Sequence, residues 1–264
     1  MKKIVFLVLF TLFTQSYTAY MPQYLRTIFT KKNTQVTPQV RFISLLDDLD
    51  FKQVAQDFAA GAKNPEIAGI ILLINNNGGH AGSFSVLHDM IKKITDMKPV
   101  ISLIASSACS GGYMIASAAD YIIAHSCSDI GCIGVYNSIT RYKNPKQKNH
   151  IEADMEVEIF SAGEFKTYWN EYAEDLSQRE RMYVQSFVDT IYKKFLDMVA
   201  KNRNLDLATY KEWAEGKIFL AEEALSLGLI DEIGTIFQAE TKMLELIKLK
   251  NPTMVYADDI TLVE

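Results

Sequence analysis

Ser110 is the residue whose type and position best suit a nucleophile. It comes after an apolar segment that predicts a strand, residues 100–105, and before Gly111, Gly112 and a short helix predicted over residues 113–119. Such a junction exposes a hydroxyl at the carboxyl edge of a parallel sheet, where α/β proteins place their sites. Free N–H groups at a helix start can stabilise an oxyanion. Serine also precedes glycine in ordinary turns, so both interpretations remain open on these residues alone.

A serine nucleophile needs a base that takes its proton. His80, beside a glycine turn, is the one histidine predicted to lie near Ser110, and a plain loop histidine is the simpler interpretation. A lysine can serve instead where burial disfavours its ammonium form. Lys166 is flanked by Phe165, Tyr168 and Trp169, which could provide that burial. A lysine on a solvated face is the simpler interpretation of Lys166.

A second glycine turn, Gly78 and Gly79, follows the apolar residues 67–74. That run is typical of a strand buried on both faces, and glycine adopts positive φ values freely. The turn is predicted to end at the same sheet edge as Ser110, so its N–H groups can point toward the same site. An ordinary strand-to-helix turn is the alternative.

The elements that must position these residues follow a βαβ order, which predicts an α/β fold with a largely parallel sheet. The predicted strands are residues 40–46, 67–74, 100–105, 121–124 and 156–160. The predicted helices are residues 50–62, a helix capped by Ser83 or Ser85 that ends near 96, and residues 113–119, 177–202 and 221–227. Ser177 and Glu180 form the capping box of the longest helix. Its apolar stripe runs from Val184 to Val199.

Composition narrows the function classes. The chain has 264 residues, 48% hydrophobic and 22% charged, which are values of a globular protein. The net charge of −5 gives no support to nucleic-acid binding as the main function. Three cysteines, Cys109, Cys127 and Cys132, make neither a disulfide scaffold nor a zinc site. They are interpreted as small buried hydrophobic residues, with a Cys127–Cys132 bridge left open.

The N-terminal residues resemble a secretory signal. Lys2 and Lys3 precede the mostly apolar residues 4–13 and the polar residues 14–19. The apolar run is shorter than the roughly 20 residues that span a bilayer. We therefore expect residues 1–19 to be a signal peptide or a short membrane anchor, and a buried N-terminal strand is the alternative. Residues 20–38 are expected to be a linker and residues 249–264 a C-terminal tail.

Several segments together resemble peptidase family S49, the signal peptide peptidase A family, over about residues 40–240. Around Ser110, residues 109–116 read CSGGYMIA, similar to the family's ASGGYxIA, and residues 163–166 read GEFK, similar to its GxYK. The other matching segments are NNNGG at 75–79, AAD at 118–120, GCIGV at 131–135, GKIF at 216–219 and EALSLGLIDE at 223–232.

The resemblance implies residue roles. Ser110 would be the nucleophile and Lys166 the general base, with an oxyanion hole made by the N–H groups of Gly79 (or Gly78) and Gly111. It also implies a substrate-binding segment formed by Gly131, Cys132 and Ile133.

The sequence departs from the family pattern at several positions. Asn77 replaces the loop proline, so we expect a less rigid oxyanion loop. Cys109 replaces alanine and Cys132 replaces serine, while Phe165 replaces a tyrosine beside the catalytic lysine, which predicts a different orientation of Lys166. The family's small-residue and proline stretch after the lysine is missing.

The implied fold is the Clp protease and crotonase type, a spiral of ββα units with a single catalytic domain over residues 39–248. The implied function is that of a serine endopeptidase with a Ser–Lys dyad, cleaving signal peptides and other short apolar segments. It would be exported, in the periplasm or at the outer face of the cytoplasmic membrane, and would form a homo-oligomeric ring. We expect no metal, no other cofactor and no nucleic-acid partner. A crotonase-like acyl-CoA enzyme and a catalytically degraded assembly module are the alternatives.

Overall fold

Eight strands form one sheet in the part of the chain that the structure, a computed structural model, describes. The described residues are 38–47, 49–140, 158–169, 175–247 and 253–256. The chain divides into two units, Met1–Thr37 and Pro38–Glu264. The predicted leader and nearly all of the predicted linker lie outside the described residues.

The elements alternate along the chain as a βαβ protein requires. The strands are β1 (Gln39–Leu46), β2 (Ile67–Asn76), β3 (Val100–Cys109), β4 (Tyr121–Ala124), β5 (Asp129–Gly131), β6 (Ile218–Phe219), β7 (Glu232–Ile233) and β8 (Thr253–Tyr256). The helices are α1 (Phe51–Lys63), α2 (Ala81–Thr95), α3 (Gly111–Ala116), α4 (Gln178–Arg203), α5 (Tyr210–Trp213), α6 (Ala221–Ser226) and α7 (Ile236–Ile247).

The strand order is β6-β5-β3-β2-β1-β8, and β4 pairs with both β3 and β7. Every pair is parallel except β5 with β6, which is antiparallel. The predicted α/β class with a largely parallel sheet is therefore confirmed.

A bulge in β3 allows this strand to pair with two different strands along one edge. Ile74 of β2 pairs with Ile104, whereas Asn76 pairs with Ala108, so two steps along β2 match four along β3. Before the bulge β3 pairs with β4, and after it β3 pairs with β5. The bulge thus redirects the end of β3 toward Gly131.

The sheet is covered on both faces, as the apolar run of β2 predicts. One face carries the larger core, which includes Phe58 of α1, Leu87 of α2, Tyr113 of α3 and Phe195 of α4. On the other face, Ala239 and Met243 of α7 cover a smaller cluster made of Val40, Phe42, Ile71, Ile101, Leu103 and Ile123.

Three predicted elements differ in the structure. Helix α2 begins at Ala81 after His80, so Ser83 and Ser85 lie inside it and neither caps it. The earlier start places Phe84 in the first turn, where it is buried. Residues 158–160, the described part of the strand predicted over residues 156–160, form no strand, and Phe160 is 90% exposed. The segment predicted as a tail contains β8, which extends the sheet by pairing with β1.

Helix α4 buries only part of its apolar stripe against the core. Its capping box, Ser177 with Glu180, is confirmed. Only its C-terminal part is buried, at Phe195, Leu196, Val199 and Ala200. In the N-terminal half, Met182 is 66% exposed and Phe187 48% exposed. The predicted stripe is present in the helix, but in its N-terminal part Phe187 is exposed and Val184, Val188 and Ile191 are only half-buried.

None of the helices within the described residues is both long enough and apolar enough to cross a membrane.

The C-terminal end of α4 is tied to the sheet by Arg203, which donates to both carboxylate oxygens of Asp231 at 3.0 and 2.7 Å. The Arg203 side chain is 8% exposed. We expect Arg203→Ala to lower the free energy of unfolding by about 3 kcal/mol, because it removes the cationic partner of a half-buried carboxylate and leaves that carboxylate only the Ile122 N–H. Urea denaturation measures this loss. The exposed pair of Lys93 with Asp96 is the control, since Lys93→Ala should cost less than about 1 kcal/mol. Equal losses in both variants would contradict the prediction.

Candidate active site

Three turns meet at the carboxyl edge of the sheet. Register pairs Asn76 with Ala108, and Cys109 with Gly131, so β2, β3 and β5 end side by side. The chain leaves these strands through Gly78 and Gly79, through Ser110 and Gly111, and through residues 131–133. Parallel strands place such turns on one edge, and the structure brings these sequence-predicted residues together.

Ser110 forms the corner between β3 and α3. Its φ is 52° and its ψ is −122°, a conformation that non-glycine residues rarely adopt and that costs free energy. The corner is held because Ser110 N–H donates to the Gly131 carbonyl at 2.8 Å, and the Ser110 carbonyl accepts from Met114 N–H at 2.9 Å. The half-buried Ser110 hydroxyl has no hydrogen-bond partner among the described residues. It is therefore free to attack a bound carbonyl.

Gly78 lies directly against this corner. A Cβ atom on Gly78 would stand 2.8 Å from the Ser110 Cβ and 2.6 Å from the Gly111 nitrogen, and Gly78 has a φ of 96°. Its own N–H donates to Asn76 Oδ1 at 2.8 Å. Gly78 therefore permits the close approach to Ser110, but its N–H is already bonded. The prediction of Gly78 as an alternative oxyanion donor is wrong for this reason.

The N–H groups of Gly79 and Gly111 have no acceptor among the described residues. Both glycines pack on the ring of Phe84, because a Cβ on Gly111 would lie 2.5 Å from that ring and one on Gly79 would lie 3.1 Å from it. A side chain at Gly111 would thus collide with the ring. One buried aromatic side chain supports both candidate oxyanion donors.

Cys109 points away from the Ser110 hydroxyl. Its Sγ lies 3.8 Å from the Asp129 carbonyl, and burial raises the pKa of its thiol. A thiol kept protonated is a poor nucleophile. All three cysteines are free, so the Cys127–Cys132 bridge left open by the sequence is not formed.

The segment predicted to bind substrate continues from β5. Gly131 and Cys132 have φ values of 106° and 48°. Cys132 N–H donates to the Lys217 carbonyl at 2.6 Å, and the Ile133 carbonyl accepts from Gly216 N–H at 2.9 Å. These bonds hold residues 131–133 beside Ser110.

The two candidate bases do not contact Ser110 within one chain. Lys166 is exposed, and its Nζ makes no hydrogen bond or ion pair with any residue that the structure describes. His80 is also exposed, and its ring lies beside Gly82 of its own helix. The structure therefore brings Ser110 and the two candidate oxyanion donors to one edge of the sheet, but it places neither candidate base in contact with Ser110.

The aromatic residues near Lys166 pack on one another. Phe165 stacks on Tyr183 with ring centroids 4.8 Å apart, and Tyr168 stacks on Trp169 at the same separation. Arg179 of α4 also pairs with Glu164 at 2.9 Å. The Lys166 segment is thereby attached to the exposed half of α4. The expected burial of Lys166 by its aromatic neighbours is wrong within one chain, because the rings lie against α4 and leave the lysine in solvent.

Sequence reasoning missed a hydrogen-bonded group behind the oxyanion loop. Asp47 accepts from Asn77 N–H at 2.7 Å and from Asn77 Nδ2 at 3.1 Å. Ser107 Oγ donates to Asn77 Oδ1 at 2.7 Å. Asn76 Nδ2 donates to the Leu46 carbonyl at 2.6 Å. The run of three asparagines before two glycines signals only the local bond from Gly78 N–H to Asn76 Oδ1. The bonds to Asp47 and Ser107, 30 positions away, have no local signal.

The arrangement suits acyl transfer. It offers a hydroxyl and two free N–H groups, which can donate hydrogen bonds to a developing oxyanion. The described residues contain no cluster of His, Cys, Asp or Glu side chains able to hold a metal ion.

The structure resembles that of a mutant of the 1510-N membrane-bound stomatin-specific protease, with a TM-score of 0.54 over 83% of this chain and 96% of that chain. At 15% identity this similarity concerns the fold alone.

Curated relatives align over most of this chain. A putative protease of Methanocaldococcus jannaschii is 30% identical over 214 residues, which is 81% of this chain and 63% of the relative. A putative signal peptide peptidase of Enterococcus faecium is 29% identical over 197 residues, which is 74% of this chain and 56% of the relative. The chain thus spans less than two thirds of either relative's length.

The family model named Peptidase family S49 matches residues 92–250, a range that contains both Ser110 and Lys166. That range is more than half of the chain, and the resemblance drawn from its motifs is confirmed: the chain belongs to peptidase family S49.

Proposed function

We propose that this chain is a serine endopeptidase with Ser110 as its nucleophile. The observation that carries the proposal is the strained corner at Ser110, against which Gly78 packs. Gly111 follows Ser110 and Gly79 follows Gly78 in the chain, and the N–H groups of both have no acceptor among the described residues. A costly backbone conformation persists where the surrounding structure holds it, and such strain clusters at active sites. Membership of a peptidase family supports the same reaction.

In the proposed mechanism, Lys166 is the general base. Its neutral amine takes the Ser110 proton while Ser110 Oγ attacks the peptide carbonyl carbon. The carbonyl oxygen becomes an oxyanion that accepts from the N–H groups of Gly79 and Gly111. The lysine then gives the proton to the leaving amine, which leaves an acyl-serine, and a water activated by the same amine hydrolyses this ester. No metal or other cofactor takes part.

We further propose that each dyad is shared between neighbouring subunits of a homo-oligomeric ring. Lys166 lies on a segment attached to the exposed half of α4, where Met182 and Phe187 are exposed and Trp169 is 66% exposed. Packing this surface on a second subunit would bury these apolar groups and remove Lys166 from water. Desolvation favours the neutral amine that a general base needs.

Signal peptides and other short apolar segments are the proposed substrates. Ile218 of β6 is 56% exposed and pairs with Gly131 of the proposed binding segment, and Leu220 is 55% exposed. These side chains suit an apolar peptide. The relative named a putative signal peptide peptidase supports the same substrate class. The N-terminal residues support export, with the peptidase domain over residues 39–248, extended by β8, at or near the membrane surface.

The nucleophile is tested with a fluorescent phosphonate that reacts with activated serines. Ser110→Ala should abolish labelling and peptide cleavage, because it removes the attacking oxygen. The neighbouring Cys109→Ala is the matched control and should keep most of both. Labelling that survives in Ser110→Ala and disappears in Cys109→Ala would sink the assignment. A wild-type chain that resists the probe would favour the acyl-CoA enzyme or the degraded assembly module.

The base is tested by Lys166→Arg. Guanidinium retains the positive charge but does not give up its proton near neutral pH, so peptide cleavage should fall to background, as in Lys166→Ala. Lys194→Ala, which removes an exposed lysine of α4, should keep wild-type rates. Should Lys166→Arg remain active, another group, such as His80, is the base.

Sharing of the dyad is tested by mixing two inactive variants. Ser110→Ala and Lys166→Ala subunits, unfolded and refolded together in equal amounts, should regain about a quarter of the wild-type activity, because a head-to-tail ring then restores that share of boundaries. Each variant refolded alone is the control. Full activity from a wild-type chain shown by light scattering to be monomeric would refute the shared dyad.

A further inference from the structure

Asn77 stands where the family's oxyanion loop carries proline, and the sequence therefore predicts a less rigid loop. Proline fixes φ near −65° and has no N–H. Asn77 uses the N–H that a proline lacks, donating it to Asp47 Oδ1 at 2.7 Å, while its Nδ2 reaches Asp47 Oδ2 at 3.1 Å. The carboxylate thus holds both the backbone and the side chain of one loop residue.

The opposite side of Asn77 is also held. Ser107 Oγ donates to Asn77 Oδ1 at 2.7 Å. Ser107 is 6% exposed and lies in the β3 bulge, three residues before Ser110. Asn77 therefore connects the end of β1, through Asp47, to the strand that carries the nucleophile.

We propose that Asp47, Asn77 and Ser107 form a clamp that positions the Gly79 N–H, in place of the rigidity that proline gives the family loop. The proposal rests on the proposed function, because Gly79 matters only if an oxyanion forms at Ser110. The three are positioning residues, and none of them touches the reacting atoms.

The geometry beyond Asn77 shows how the clamp acts on Gly79. Gly78 N–H is bonded to Asn76 Oδ1, and Asn76 Nδ2 is bonded to the Leu46 carbonyl. With Asn77 fixed next to this pair, the only free N–H of the turn is that of Gly79, which rests on Phe84. Loss of the clamp would leave the chain before Gly79 held only by the hydrogen bonds of Asn76.

Hydrogen bonds to an ionised acceptor are roughly twice as strong as neutral ones, so Asp47 is the member whose removal should matter most. Complete loss of one oxyanion donor lowers kcat by about 10²–10³. A donor that is present but less well positioned should cost less. We expect Asp47→Ala to lower kcat by about tenfold and to leave KM within about twofold, because oxyanion stabilisation acts on the transition state.

Asp50→Ala is the matched control. Asp50 is an exposed aspartate three residues further along, whose carboxylate caps α1 by accepting from Lys52 and Gln53 N–H. The variant removes the same charge and a cap of about 1 kcal/mol. It should lower the melting temperature and leave kcat unchanged. A general loss of stability or charge would therefore affect both variants alike.

Two further measurements separate positioning from a merely structural role. Amide hydrogen exchange of a peptide covering residues 74–84 should become faster in Asp47→Ala and in Ser107→Ala, and stay at the wild-type rate in Asp50→Ala. Placing Asn77→Pro in the Asp47→Ala background should restore kcat to within about threefold of wild type, since proline restricts φ without needing a partner.

The outcomes are distinct. Unchanged kcat and unchanged exchange in Asp47→Ala would overturn the clamp, as would an equal fall of kcat in Asp50→Ala. If the wild-type chain cleaves no peptide and takes no phosphonate, the proposed function fails. Exchange at residues 74–84 then decides alone whether the clamp holds the loop.

Discussion

The hydrogen bond from Ser110 N–H to the Gly131 carbonyl is the interaction on which the site depends. It joins the end of β3 to the end of β5 and holds Ser110 at a positive φ that the residue would otherwise avoid. The bulge in β3 makes this bond attainable, because it moves β3 from β4 to β5. Strand register thus determines the direction of Ser110, the proposed nucleophile. The strain at Ser110 is sustained by the buried sheet and helices around it, so local chemistry and global packing are coupled.

Much of this site could be predicted because its signals are local in sequence. The apolar run of β2 and the Ser–Gly–Gly junction after β3 identify buried strands and a tight turn whatever lies beyond them. The glycines have a similar local meaning, since Gly78 must approach Ser110 and Gly111 must lie on Phe84. The limits of elements were less predictable. His80 precedes α2 without a side-chain cap, so no residue type marked that helix start.

Features that depend on partners distant in sequence could not be predicted from the sequence. Asp47 and Asn77 are 30 positions apart, as are Asn77 and Ser107, and neither bond has a local pattern. Strand β8 is four residues long, and it is recognisable as a strand only because it pairs with β1. The apolar stripe of α4 was predicted from its helical spacing. That spacing predicts that one face of the helix is buried, but it does not identify the surface that buries it. In this chain the N-terminal part of that face is incompletely buried, with Phe187 exposed and Val184, Val188 and Ile191 half-buried.

The exposed half of α4 and the separation of Lys166 from Ser110 within one chain are physically linked. The segment that carries Lys166 is attached to that half through Phe165 and Tyr168, and through the pair of Glu164 with Arg179. Burial that would desolvate the lysine is therefore the same burial that would cover the apolar helix face. If the proposed roles hold, such a chain keeps its oxyanion donors preformed, and its general base stays in water until a second subunit covers this surface. Under the shared-dyad proposal, assembly and activation are then a single event, because one interface both excludes water from Lys166 and brings it to a neighbour's Ser110.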